Sequence, residues 1–245
     1  CSENAGDIIM VAPWHAETVT ATNVCAMDTA GVKLIGVSSG NQKPTISFGT
    51  DAAATIAVTA ANCRISNLKL VSAVIDCTAG ITASAAGDKL MVDNCIIKDG
   101  GAALEMVIGV SLAAACDGCV IVDNVMSTVP AGGCASGITL VGESERTVIA
   151  RNYIQGDYSA SCIDGTTAAS TLLTIVDNYL INIDTTAGSC IDMNASTTGM
   201  SCNNRMMGGK SIADTWIAAG MVSIENYGTG AVSASGLVEP AVDGD

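Results

Sequence analysis

The chain repeats a short apolar string that ends in Asn, with Gly in the first copy, along most of its length. Successive copies are 31, 27, 30, 28, 26, 26 and 22 residues apart. Self-similarity at such a period indicates stacked supersecondary units, each of which buries its apolar side against its neighbours. The repeated residues are Gly36, Asn67, Asn94, Asn124, Asn152, Asn178, Asn204 and Asn226.

A second series of strings shares this period and places at least two strands in every unit. Examples are Gly109-Val110-Ser111-Leu112 and Gly137-Ile138-Thr139-Leu140, in which apolar residues alternate with small or polar ones. This alternation is a strand period and excludes helical repeats, while leucine-rich repeats and propeller blades have other periods. The sequence therefore predicts an all-β fold: a single-stranded right-handed parallel β-helix, or β-solenoid, of about seven to eight coils.

The repeated Asn residues have a physical role in such a fold. Asn and Gly tolerate the left-handed backbone conformation that a sharp turn between two strands requires. When the coils stack in register, each Asn side chain bonds to the one above and the one below, so the buried amides satisfy one another. The eight repeated residues are thus predicted to form a buried structural ladder. The alternative is a set of surface turns without side-chain stacking.

Composition limits the classes of partner. The chain has 24 acidic and 10 basic residues, a formal net charge of −14. This charge repels phosphate backbones and anionic lipid heads, so neither nucleic acid nor membrane is an expected partner. No apolar stretch is long enough to span a bilayer. Without a visible linker, residues 1–230 are predicted to form one β-helix domain, followed by an acidic, Gly-rich tail at 231–245.

Eleven cysteines are spread along the chain. A chain of this length buries a core without disulfide staples, so most thiols are expected to be reduced and buried. Cys116 and Cys119 form a lone C-x-x-C, which is weak evidence for a zinc or redox site. Cys162 and Cys190 hold matching positions on successive coils and are expected to be adjacent. Cys1 would also suit a bacterial lipoprotein, which leaves that class open.

Acidic residues provide the candidate chemistry, and we interpret most of them as surface groups. Asp93, Asp123 and Asp177 each precede a repeated Asn and are expected to stack in a column with Arg151 as a counter-charge. A calcium site would use such a column, but it would also need basic residues across a groove. Asp164 and Asp192 are expected on adjacent coils as surface acids, or as a pair that shares a proton or binds a cation.

The remaining candidates are aromatic. His15 is the sole histidine and is interpreted as structural. Tyr153, Tyr179 and Tyr227 follow repeated Asn residues and are expected to form a column of core or edge stacking rather than a sugar-binding platform. We therefore predict no catalytic, cofactor-binding or metal site, and no enzymatic activity.

The first 70 or so residues resemble a known group. The strings GDIIMVAPWHAETVTA and GVKLIGVSSGNQKPTISF are similar to those of pectate-lyase-like β-helix proteins encoded among the virion genes of tailed, often marine, bacteriophages. This chain has Trp14 where that group usually has Gly, and Lys43 where it usually has Arg. The rest of the chain shares only the style of its repeats.

The resemblance implies a non-enzymatic structural protein of a virion: a capsid decoration, a head fibre or a tail-associated β-helix. It also implies a homotrimer that is made in the host cytoplasm, contacts capsid or tail proteins, and is displayed on the virion surface. Two alternatives stay open. One is an extracellular polysaccharide lyase or depolymerase, and the other is a bacterial surface adhesin or lipoprotein. Cell-surface polysaccharide is therefore a possible partner.

Overall fold

A computed structural model describes residues 6–22, 24–129, 133–184, 188–208, 220–229 and 236–238. Its strands form three long sheets, and one short 3₁₀ turn spans Gly40–Gln42. Sheet A contains β1 (Ile8–Val11), β4 (Lys33–Gly36), β7 (Arg64–Ser66), β10 (Met91–Asp93), β13 (Val120–Val122), β16 (Val148–Ala150), β19 (Leu173–Val176), β22 (Gly199–Cys202) and β24 (Met221–Ile224).

Sheets B and C follow sheet A in every coil. Sheet B contains β2 (Ala16–Val19), β5 (Thr45–Phe48), β8 (Lys69–Ser72), β11 (Ile96–Lys98), β14 (Val125–Ser127), β17 (Tyr153–Gly156), β20 (Tyr179–Asn182), β23 (Arg205–Gly208), β25 (Asn226–Thr229) and β26 (Gly236–Val238). Sheet C contains β3 (Cys25–Met27), β6 (Ile56–Val58), β9 (Ile81–Ala83), β12 (Ile108–Leu112), β15 (Ser136–Leu140), β18 (Ser161–Gly165) and β21 (Ser189–Met193).

The order of the strands makes the chain a right-handed parallel β-helix, as the sequence predicts. Every third strand pairs in parallel with its counterpart one coil later, so that β1, β4 and β7 are neighbours in sheet A. Seven coils with all three strands are followed by further strands of sheets A and B. Among the strands of the described ranges, β26 alone pairs antiparallel, with β25. The rest of the predicted 231–245 tail lies outside the described residues.

The core is a set of apolar columns that run along the axis. In sheet C, Ile81, Val110 and Ile138 lie at one register position on successive strands, and each is fully buried. Because strand side chains alternate between the two faces, most strands contribute one or two such residues. Burying each of these side chains contributes roughly 1.5–3 kcal/mol. Stacking therefore replaces the bulky aromatic core that the composition lacks.

Candidate functional site

An amide ladder lies inside the tight turn between sheets A and B. Its side chains are at most 1% exposed and belong to Asn124, Asn152, Asn178, Asn204 and Asn226. Nδ2 of each of the first four donates to Oδ1 of the next, at 3.0, 3.1, 2.9 and 2.8 Å. The same Oδ1 atoms also accept a backbone N–H from the preceding coil.

The predicted ladder is wrong at Asn67 and Asn94. Pairing of β10 with β13 aligns Asp93 with Val122, so Asn94 lies opposite Asp123 and one residue short of the ladder. The ladder position in these two coils belongs to Leu68 and Cys95, which are buried.

The left-handed backbone conformation explains this shift. Asn67 and Asn94 have φ values of 57° and 53°, and so they form the turn themselves. In later coils the residue before the ladder amide takes that conformation, as in Asp123 and Arg151 with φ values of 59° and 53°. In the sequence, the two kinds of Asn differ in their distance along the chain from the buried residue of the preceding strand. The first four ladder residues lie three positions after a fully buried strand residue, as Asn124 does after Ile121, whereas Asn67 and Asn94 lie two positions after one.

Gly36 aligns with Asn67, but it is not among the residues with positive φ. The prediction that Gly36 provides a left-handed turn conformation is therefore also wrong. Its place depends on close packing instead. A Cβ there would lie 2.2 Å from the Asn67 carbonyl oxygen and 2.8 Å from Cγ of Pro44. Asn67 Nδ2 donates to the Gly36 carbonyl at 2.6 Å and Asn94 Nδ2 to Asn67 Oδ1 at 3.1 Å, so these three residues form a separate, partly exposed chain. Lys43 Nζ extends it by donating to Asn94 Oδ1 at 3.1 Å.

The acids next to the turn are bound by bases and amides of neighbouring coils. Arg64 holds Asp93 through two bonds of 2.7 and 2.8 Å, and Ser66 donates a third. Arg151 holds Asp123 through two bonds of 2.8 Å, and this hydrogen-bonded guanidinium lowers the pKa of the Asp123 carboxyl. These pairs connect consecutive coils.

The same column continues toward the end of the β-helix. Asn203 Nδ2 donates to Asp177 Oδ1 at 2.6 Å, so this acid is also joined to the next coil. Asp177 also raises the pKa of Arg151 slightly through its charge, after the larger effect of the bond to Asp123. The column therefore runs through Asp123, Arg151, Asp177 and Asn203 along the axis. The prediction is wrong at Asp93, which lies opposite Val122, one residue before the column, and is buried.

The tyrosines stack on the outer surface of sheet B. The rings of Tyr153 and Tyr179 are 5.4 Å apart and tilted by 6°, so their faces cover each other. In register, Arg205 follows Tyr179, and Tyr227 follows Arg205. Tyr153 is 37% and Tyr227 51% exposed. The stack presents ring edges outward, whereas a sugar platform presents an open ring face.

Asp164 and Asp192 lie side by side on the outer face of sheet C, as their spacing indicates. Asp164 Oδ1 accepts hydrogen bonds from the Thr166 N–H and hydroxyl. His15 is exposed at the first coil, with Nε2 3.7 Å from a Glu17 oxygen.

The ten described cysteines are unpaired, and most of them are buried. Sγ of Cys116 lies 3.2 Å from Sγ of Cys119. Cys162 and Cys190 are adjacent across coils in the register of β18 and β21. Burial raises the pKa of the Cys95 thiol to about 12.

One buried acid was not singled out from the sequence. Asp99 is 5% exposed beside a cavity of about 10 Å³ and accepts backbone N–H bonds from Met106 and Val129. Burial nevertheless raises the pKa of its carboxyl. The hydroxyl of Ser136 lines this space without a protein partner, and the volume suits one water molecule. Nothing in the local sequence around Asp99 marks this burial.

Within the described ranges, no cluster of three or more His, Cys, Asp or Glu side chains is arranged to hold a metal ion. A search of the same residues finds no helix with the length and hydropathy of a membrane span.

The described coils define a three-sheet parallel β-helix with polar columns at its turns. The chain matches no protein-family profile and no curated protein. Among solved structures it is similar to a pectin methylesterase in complex with a hexasaccharide, with 13% identity and a TM-score of 0.38 over 99% of this chain and 86% of that one. A likeness at this level carries no argument about activity.

Proposed function

We propose that this chain is a non-enzymatic structural protein of a tailed-bacteriophage virion. One observation carries the proposal: the turn-side acids are bound within the β-helix. Asp93 and Asp123 each receive two bonds from an arginine of a neighbouring coil. Groups that a lyase would direct at a substrate here hold the coils together.

The ladder supports the same function. Five buried amides and two nine-strand parallel runs, in sheets A and B, extend the same register over most of the chain. Each coil adds about 4.8 Å along the axis, so the result is a stiff spacer of roughly 40 Å. A rigid rod suits a particle surface that presents a fixed contact to the environment.

Partners and location follow the resemblance of the first 70 or so residues to phage β-helix proteins. We propose a homotrimer that is attached to capsid or tail proteins and displayed on the virion surface. The N-terminal coil is the proposed attached end, because Ile8, Met10 and Trp14 there are 49%, 70% and 69% exposed. Exposed apolar side chains grouped in this way favour a protein partner.

A polysaccharide-acting protein is the second candidate, favoured by the adjacent Asp164 and Asp192 on one sheet face. Glycoside hydrolysis requires two carboxyl groups that flank one glycosidic bond. The tyrosine stack argues against this candidate, because its ring faces cover each other.

Quantitative mass spectrometry of purified particles from a phage that encodes this chain tests the proposal. We expect a fixed number of copies per particle, and no cleavage of host capsule or pectin-like polysaccharides by the purified chain. Absence from particles would overturn the virion function. Cleavage that is lost in an Asp164→Asn/Asp192→Asn variant would establish the second candidate.

A further inference from the structure

The outer face of sheet B contains no acid in the described residues, although the chain carries 24 acids against 10 bases. We call this surface the aromatic-basic face. Inward residues such as Ile154 and Leu180 are fully buried. The residues that alternate with them along each strand therefore point outward. From β14 to β25 the outward residues are Val125, Ser127, Tyr153, Gln155, Tyr179, Ile181, Arg205, Met207 and Tyr227.

Arg205 is the basic residue of this stretch. It is exposed and lies between Tyr179 and Tyr227 in the strand register. Among the salt bridges of the described residues, the other arginines each pair with an acid, whereas Arg205 does not. The same stretch also exposes Met207 and Tyr227 by 44% and 51%. An apolar, aromatic strip with one unpaired guanidinium has the composition of a protein interface.

The outer face of sheet C has the opposite character, and we call it the acidic face. Its outward residues on successive strands are Thr82, Ser111, Thr139, Asp164 and Asp192. They include two adjacent acids, small hydroxyl residues and no base. Thr139 in this row is buried, so the accessible part of the acidic face lies around the half-buried Asp164 and Asp192.

We propose that the aromatic-basic face of one copy packs on the acidic face of a second copy. Copies related by a rotation axis parallel to the rods place equivalent coils at equal heights. Asp164 and Asp192 then lie level with Tyr153 and Tyr179, because these pairs share coils. Arg205 lies one coil further, about 4.8 Å along the axis, within reach of Asp192. Such a head-to-tail contact closes into a ring.

The inference assigns the contact surfaces of the proposed homotrimer and so rests on that part of the proposed function. Charge indicates that the partner on the aromatic-basic face is a second copy of this chain. A chain with a net charge of −14 repels an anionic polymer as a whole, but its own acidic face is complementary to a surface without acids.

Charge reversal across the two faces tests the contact. Self-association of the full chain is measured by sedimentation velocity at low salt, with Arg205→Glu, Asp192→Lys and their combination. We expect each single variant to weaken association by at least about tenfold and the double variant to regain most of it. Arg146→Glu and Asp28→Lys change the net charge equally at turns away from both faces and are expected to have no effect.

Other results overturn the inference in distinguishable ways. A wild-type chain that remains monomeric at all concentrations removes both this contact and the proposed trimer. A trimer that ignores Arg205→Glu but dissociates with Thr174→Glu would place the interface on sheet A and leave the trimer intact. A monomer that binds an anionic polysaccharide through Arg205 would make the face a glycan site. Circular dichroism confirms folding, and Arg205→Gln replaces any reversal that unfolds.

Discussion

Asn152 and Asn178 lie on successive coils, with Nδ2 of the first donating to Oδ1 of the second at 3.1 Å. The same Oδ1 accepts the backbone N–H of Asn152 at 3.0 Å. The side-chain oxygen of Asn178 therefore takes the place of water as the acceptor for two donors of the preceding coil. This arrangement fixes the register of sheets A and B at every tight turn where it occurs.

Asn152→Ala is expected to destabilise the protein by about 1–3 kcal/mol, because its neighbours in the ladder lose partners inside the core. Urea unfolding followed by circular dichroism measures the change. Asn94→Gly is the matched control: the sequence context is similar, the Asn94 side chain is exposed, and glycine tolerates the φ of 53° at this turn, so a loss below about 0.5 kcal/mol is expected. Equal losses for both variants would contradict the ladder register.

Gly36→Ala is expected to destabilise by roughly 1–3 kcal/mol, because its new methyl group would overlap the Asn67 carbonyl and Pro44. Gly101→Ala is the control, since a Cβ at Gly101 meets no atom within 4 Å. Thermal unfolding compares the two variants. A tolerated Gly36→Ala would mean that the first turn is looser than described.

Trp14 has a φ of 64°, which is costly for a bulky residue, and its side chain is 69% exposed. Trp14→Gly is expected to stabilise the isolated chain by about 0.5–1 kcal/mol, after the added flexibility of glycine in the unfolded state is subtracted. Trp14→Ala keeps the strained backbone and should give no such gain. A clear loss of melting temperature with Trp14→Gly would show that the indole ring contributes to folding.

The bond from Arg151 lowers the pKa of Asp123, so this pair stabilises the fold above the ordinary Asp pKa of about 3.9. That contribution disappears as the pH falls through the lowered pKa. Arg151→Met is expected to raise the pKa of Asp123 in an NMR titration and to cost at most about 1 kcal/mol at neutral pH, because the pair is half exposed. Arg146→Met should leave the Asp123 titration unchanged. An unchanged Asp123 pKa in Arg151→Met would contradict the pair.

Thiol reactivity should follow burial. At pH 8, iodoacetamide is expected to modify the partly exposed Cys202 well before Cys95, whose pKa burial raises to about 12. Peptide mass spectrometry measures both rates. In denaturant without reductant, we expect nearly all cysteines to react. Five intact disulfides would instead indicate an exported protein and favour the adhesin.

Periodicity made the fold predictable, because strand alternation and a step of 22 to 31 residues leave few architectures that bury every unit. The ladder was predictable only where the amide also holds the inward position. Asn67 and Asn94 are the same residue type but occupy the turn position. Only the pairing of neighbouring strands distinguishes the turn position from the ladder position. Residue type alone indicates a conformational preference. The strand register depends on which residue of each coil packs inward.

The surface columns were less accessible to sequence reasoning. The column was predicted correctly for Asp123, Arg151 and Asp177, but Asp93 lies at another register position. Its partner Arg64 belongs to the strand of another coil, and nothing near Asp93 in the chain identifies it. Asp99 resembled any turn acid, yet the fold buries it. Such contacts depend on how coils overlap in space, which the spacing determines only to within a residue.

Cryo-electron microscopy of the intact phage particle tests the central claim most directly. The account predicts density for a three-sheet rod, repeated at symmetric positions on the particle surface, with its N-terminal coil against a capsid or tail protein. A particle without this density, together with free chain that degrades polysaccharide, would contradict the structural function.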